Sequence, residues 1–334
     1  MSESTRRDFL RRTLLGATAV GAGLDEVAQA SLTGPTTTQG TEARKAVDRR
    51  VLGRVGAEVS ILGLGLGAAF TRPHAGRPEQ VAALLERALA YGINYWDTAH
   101  SYGSRGIASE EMIGPTVKHV RKQIFLVSKS TQRSYDGFKR ELETSLKRLQ
   151  TDHLDVYHIH SLRPNQDTDL GAIEKGAVRA ARQAKEQGVI GHIGVTGHAG
   201  ADILVEAVRR WDPDVLLTIL PATRPDGGNY EDVLLPLARE RRMGVVGMKT
   251  VKQASNADLK GTDLIRYALS LEGVHCVEVG LDSMAHLDEN AAMAASFKPL
   301  SEKQRTAVHR EITHALAGAT APWEMPGYVD GATA

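Results

Sequence analysis

Beyond residue 58 the chain alternates between short apolar runs and longer stretches in which apolar positions recur every three or four residues among charges. The runs VSILGLGL (59–66), NYWDTA (94–99), IFLVSKS (124–130), LDVYHIHS (154–161), IGHIGVTG (190–197), VLLTILP (215–221), GVVGMKT (244–250) and HCVEVGLD (275–282) read as buried strands. Between them lie stretches such as PEQVAALLERALAYG, DGFKRELETSLKRLQ and EKGAVRAARQAKEQG. The last two carry the pattern of a helix with one buried side, and Asp136 and Gly188 stand where an N-cap and a C-terminal stop belong. Eight such units predict an α/β fold, a closed parallel (β/α)8 TIM barrel in one domain over residues 48–300 with a C-terminal helix and tail over 301–334. A doubly wound open sheet is the alternative. It is weakened by GLGLG (63–67), whose glycines have the wrong spacing for the GxGxxG dinucleotide turn.

The first thirty residues are of another kind. MSESTRRDFLRR holds four arginines and is followed by the uncharged run TLLGATAVGAGL. Twelve residues rise only ~18 Å as a helix, too short for a ~30 Å bilayer core. The stretch Thr5-Arg6-Arg7-Asp8-Phe9-Leu10-Arg11 is similar to a twin-arginine export signal, and Ala28-Gln29-Ala30 supplies the small residues of a cleavage site. Residues 1–30 are therefore expected to be a cleaved signal peptide, recognised by the twin-arginine export machinery. The mature protein is then periplasmic, with no stable membrane insertion, and stays cytoplasmic if the signal is silent. Residues 31–47, rich in Thr and Gly, read as a flexible linker.

Charge narrows the class of partner. Lys and Arg number 41 against 40 Asp and Glu, so there is no global field to gather nucleic acid. A single cysteine, Cys276, excludes an intramolecular disulfide framework and a zinc site built on several thiolates.

In a barrel of this kind active sites collect where strands end. The second run ends in Asp97 and leads to Tyr102, the third ends with Lys129, and the fourth with His160. These four side chains converge on one rim as a proton-transfer set. A tyrosine titrates near ~10, too high for easy donation at neutral pH, and a neighbouring ammonium lowers that value by favouring the phenolate. Lys129 is the lever, Asp97 holds it, and His160 hydrogen-bonds a substrate carbonyl and aims it at Tyr102.

At these residues the chain resembles an aldo/keto reductase. INYWDTAHSYG, SEEMIG (109–114), IFLVSK, LDVYHIH and VGLDSMAHLDEN (279–290) stand in that family's order, across residues 50–295. The resemblance implies reduction of an aldehyde or ketone, a small carbonyl compound or a sugar lactol, with NADP or NAD as cofactor. It makes Asp97, Tyr102, Lys129 and His160 the catalytic residues, Tyr102 being the general acid. The cofactor half departs from the family pattern. Thr196-Gly197-His198 replaces the usual Ser-Asn at the end of the fifth strand, and Thr218 is the nearest polar residue to the usual glutamine of the sixth. Met248 replaces the stacking tyrosine. Lys249 and Lys252 are within reach of a pyrophosphate, and Gly280, Asp282, Ser283 and Asn290, with Glu289 nearby, complete the expected cofactor set. Gly280 and His286 stand where the family often has the Lys and Arg of an adenosine 2′-phosphate site, so weak discrimination between NADPH and NADH is expected.

Two other readings compete. His158 and His160 share one side of a strand and form a metal half-site, with His100, His192 and His198 as further imidazoles, so a metal-dependent barrel hydrolase is one alternative. A nucleotide-binding barrel without turnover is the other. Trp323 and Tyr328, in APWEMPGYVDG, either cap the pocket or pack the tail.

Overall fold

The structure, a computed structural model, describes residues 45–251 and 259–321 together with Trp323, Met325, Tyr328 and Asp330. The expected export signal and Lys252 lie outside the described residues, as does the expected linker up to residue 44. Among the described residues no helix is long and apolar enough to cross a membrane.

Among the described residues twelve strands follow one another. They are β1 (Arg49–Val51), β2 (Glu58–Ser60), β3 (Leu62–Gly65), β4 (Tyr95–Asp97), β5 (Gly103–Ser104), β6 (Ile107–Ala108), β7 (Phe125–Ser130), β8 (Leu154–Leu162), β9 (Ile190–Gly197), β10 (Val215–Ile219), β11 (Gly244–Met248) and β12 (Cys276–Gly280). Eight of them close into a barrel in the order β10, β11, β12, β3, β4, β7, β8, β9, and every neighbouring pair is parallel. This is the expected α/β architecture, and the open sheet is excluded by the β12 to β3 pairing that closes the ring.

The first expected strand proves to be two. Ser60 Oγ donates to the carbonyl of Leu62 across a bend at Ile61, and the piece before the bend pairs antiparallel with β1. The helix after β7 spans Tyr135–Leu149 and is capped by Ser134, whose hydroxyl accepts from the amide of Gly137. Asp136, expected as the cap, lies inside the first turn, where its charge still suits the positive helix end. Gly188 stops the next helix as expected, at φ 69°.

The barrel interior explains the glycine run that begins β3. A Cβ added at Gly63 would lie 2.9 Å from the Tyr95 ring, one at Gly65 would lie 2.9 Å from the Glu278 carboxylate, and one at Gly67 would lie 3.3 Å from the Tyr102 ring. Alternate residues of an extended chain share a face, so GLGLG leaves successive gaps for neighbouring side chains. The glycines therefore make room for side chains, the role that their spacing left open once a phosphate loop was set aside. Gly194 does the same for His158, whose ring nitrogen would lie 2.1 Å from an added Cβ.

Candidate active site

Each member of the expected set sits at a strand end or in the turn beyond it. Asp97 is the last residue of β4 and Lys129 the fifth of β7, and both are removed from solvent, at 0% and 1% exposure. The Lys129 ammonium donates to Asp97 Oδ1, to the carbonyl of Thr98 at 2.8 Å and to the Tyr102 hydroxyl at 3.4 Å. Tyr102 is fixed by backbone bonds on either side, its amide to the Ala99 carbonyl at 3.0 Å and the Ser109 amide to its own carbonyl at 2.9 Å. The β5–β6 hairpin leaves directly from it.

His160 is placed by an irregularity. The β8–β9 register shifts between Ile159 and Leu162, and Ser161 takes φ 55°, in the left-handed region. Such a backbone is costly for a non-glycine residue and persists only where surroundings hold it. Here Ser161 donates its amide to Thr196 Oγ1 at 2.7 Å, and Arg133 donates to the carbonyls of His160 and Ser161 at 2.9 and 3.2 Å. Arg133 is itself anchored by Asp167 at 2.6 Å. The bulge turns the His160 ring toward Tyr102, with centroids 5.6 Å apart and nearly perpendicular planes.

A residue that no sequence pattern singled out completes the centre. Asp330, in the C-terminal tail, accepts from the Tyr102 hydroxyl at 2.6 Å and from His160 Nε2 at 3.0 Å through one oxygen. Its other oxygen accepts from the Lys249 ammonium at 2.5 Å and from the Tyr328 hydroxyl at 2.8 Å, with His198 Nε2 3.4 Å away. A carboxylate only accepts, so Nε2 is the protonated nitrogen of His160. Lys249 takes φ 60° immediately after β11. Of the two tail aromatics, Tyr328 faces the centre and Trp323 packs into the core at 3% exposure.

Burial sets most of the electrostatics. It pushes the Asp97 carboxyl up while the Lys129 ammonium pulls it back. It lowers His158 and His198 well below the ordinary imidazole range and His160 to about 4, the last against the pull of Asp330. These rings are neutral at pH 7. Asp330 is held well below the usual carboxylate range because His198, Lys249 and His160 outweigh its desolvation. Burial works against the Lys249 charge, yet Asp330 and Tyr328 hold it above its ordinary value. Tyr102 departs from the expectation. Burial, then the charges of Asp330 and Asp97, push its phenol well above 10, whereas a lowering by Lys129 was expected. Burial is the larger cause, and the tail carboxylate, an anion bonded to the phenol itself, adds to it.

Glu278 on β12 is a second group that sequence reasoning passed over. Its carboxyl sits in the gap left by Gly65, and burial followed by the charge of Asp97 raises it to about 8. A lone acid inside the apolar run HCVEVG was the available signal.

The expected cofactor residues fall in two places. Thr196, Met248 and Lys249 lie at the ends of β9 and β11, Thr196 and Met248 buried. Gly280 ends β12, Ser283 caps the helix Met284–Ala295 by accepting from the His286 amide, and Asn290 lines a small recess with Gly280 and Leu281. Asp282 is half-buried and His286 exposed, and the two are hydrogen-bonded to each other at 2.7 Å. The five imidazoles of the metal reading are not gathered. His100 lies 3.8 Å from Glu141 and His192 3.8 Å from Asp214, and among the described residues no group of three or more His, Cys, Asp or Glu could hold a metal ion.

The comparisons place this barrel in a family. The sequence profile of the aldo/keto reductase family matches residues 61–255, and the chain belongs to that family of oxidoreductase enzymes. It is similar to L-galactose dehydrogenase of Arabidopsis thaliana, at 28% identity over 304 residues covering 78% of this chain and 92% of that one. Among solved structures it is similar to a putative aldo-keto reductase of Pseudomonas aeruginosa, with 27% identity, a TM-score of 0.63 and coverage of 77% and 98%. An aldo/keto reductase of Klebsiella pneumoniae, solved in complex with NADP and acetate, shares the fold at 24% identity and a TM-score of 0.62, covering 80% and 95%.

The rim fits a nicotinamide dinucleotide in its donor chemistry. Among the described residues the hydroxyls of Thr218, near the end of β10, and Thr250, just beyond β11, are buried without a hydrogen-bond partner, and Thr196 keeps its own proton to donate while accepting from Ser161. Buried polar groups left unpaired are unfavourable, and a bound carboxamide or ribose would satisfy them.

Proposed function

We propose that the chain reduces an aldehyde or a ketone to the alcohol, with Tyr102 as the proton donor. The observation that carries this reading is a single oxygen accepting from both Tyr102 and His160 while the Lys129 ammonium stands behind the phenol. A carbonyl oxygen in that position would accept the same two bonds. They polarise the C=O and aim it, and such preorganised donors act where negative charge develops. As the oxygen gains charge Tyr102 gives up its proton to it, and the phenolate left behind faces Lys129 at 3.4 Å. Asp97 and the Thr98 carbonyl keep that ammonium in place. His160, neutral through burial, donates without competing for the proton.

A bound nicotinamide dinucleotide supplies the hydride. Thr196 and Met248 would hold its nicotinamide end and Gly280, Asp282, Ser283 and Asn290 its adenosine end, with Lys249 left to the substrate side of the rim. The NADP complex of the Klebsiella pneumoniae relative supports such a cofactor. The Asp282–His286 pair argues against a strong demand for a 2′-phosphate, because an imidazole with one nitrogen already on Asp282 offers a single further bond where an arginine offers a charged fork.

Replacing Tyr102 by Phe is expected to lower the rate of carbonyl reduction by about 10² to 10⁴ while nucleotide binding stays nearly intact. Retention of more than about a tenth of the wild-type rate would remove Tyr102 from the donor role. For the wild type, NADPH and NADH should differ in kcat/KM by less than about tenfold, and His286→Arg with Asp282→Ser should shift preference toward NADPH. A preference for NADPH of about a thousandfold in the wild type would place the phosphate contact elsewhere. The N-terminus supports delivery to the periplasm through the twin-arginine route, in folded form with cofactor bound. Replacing Arg6 and Arg7 by Lys should leave the uncleaved enzyme in the cytoplasm, seen by fractionation, and normal periplasmic delivery of that variant would contradict the proposal.

A further inference from the structure

The tail carboxylate is held by two sets of donors. Tyr102 and His160 grip one oxygen at 2.6 and 3.0 Å, and Lys249 and Tyr328 grip the other at 2.5 and 2.8 Å. The first set is the carbonyl-polarising pair. The second set lies outside the proton-transfer machinery and contains a cation with 12% of its side chain exposed, fixed by the left-handed backbone of Lys249 and facing a carboxylate at 5%. Both partners are charged and almost dry. Whatever takes the place of Asp330 at Tyr102 must leave Lys249 with an anion, since a buried ion that loses its partner is strongly disfavoured. Of the other groups near the ammonium, His198 is a neutral ring and Glu278 retains its proton near neutral pH, so neither supplies a full negative charge.

We infer that Asp330 is an internal competitive ligand, and that the site selects carbonyl compounds bearing a carboxylate beside the carbonyl, a 2-oxo acid pattern, with Lys249 receiving the carboxylate. A substrate of this class puts its carbonyl oxygen on Tyr102 and His160 and one carboxylate oxygen on Lys249. It thereby replaces every bond that Asp330 gives up, apart from the one to Tyr328, which leaves with the tail. A neutral aldehyde replaces only the first set. The inference rests on the reductase reading for turnover but not for binding.

The test uses the full chain as wild type, Asp330→Ala, and Asp330→Ala combined with Lys249→Met. Oxamate, an unreactive 2-oxo acid analogue, and neutral acetamide are titrated by calorimetry, and turnover is measured with pyruvate and with methyl pyruvate, which differ in the negative charge. Asp330→Ala is expected to bind oxamate about tenfold or more tightly than wild type, and the added Lys249→Met to abolish that gain for oxamate while changing acetamide by less than about threefold. Pyruvate should exceed methyl pyruvate in kcat/KM by about tenfold, and Lys249→Met should erase the ratio. Oxamate binding that is unchanged or weaker in Asp330→Ala would overturn the inference, as would equal losses of oxamate and acetamide or a better rate with methyl pyruvate. If oxamate binds as expected while neither carbonyl compound is reduced with either nucleotide, the reductase reading falls and the carboxylate site stands.

Discussion

Two opposite charges, Lys129 and Asp97, meet where water does not reach, and the arrangement of the rim depends on them. Neither charge is tolerable there alone. Taking one ion out of water is costly, and a dry pair is held only with good geometry and additional hydrogen bonds. The second bond of the ammonium, to the Thr98 carbonyl, ties the end of β4 to β7, and its third, to the Tyr102 hydroxyl, reaches into the turn beyond. A well-packed apolar pair would serve the fold at least as well, so the ion pair is better understood as a fixed cation behind the phenol.

Around that pair the barrel supplies positions with little freedom. The parallel register sets Gly65 beside Asp97 and Lys129 beside His158. The gaps at Gly63, Gly65 and Gly67 admit Tyr95, Glu278 and Tyr102. One strained residue, Ser161, re-aims His160, and the strain is secured by Thr196 and Arg133 acting on its amide and carbonyl. Positioning thus comes from backbone contacts at several strand ends.

Much of this was legible in the sequence because strands and helices impose different periods. All eight barrel strands overlap the apolar runs, and Asp97, Tyr102, Lys129 and His160 were visible because they interrupt or follow those runs at strand ends. What stayed hidden depends on tertiary distance. Asp330 lies 170 residues from His160 in a tail without periodicity. The raised phenol of Tyr102 follows from its complete burial and then from that anion, and both arise only in the folded chain. The bulge at Ser161 leaves no local signature, since serine is not a residue that favours φ above zero. The bend at Ile61 and the cap at Ser134 were misplaced for a smaller reason: apolar continuity and a nearby Asp are weaker signals than the hydrogen bonds that form.

The most direct measurement of the central claim is the pH dependence of kcat/KM for carbonyl reduction by Lys129→Met beside wild type. With the cation gone the phenolate loses its stabilising charge, so the residual rate should fall by about 10² to 10⁴ and its basic limb should move to higher pH. A residual profile that superimposes on the wild type after scaling would show that Lys129 does not act on the proton of Tyr102.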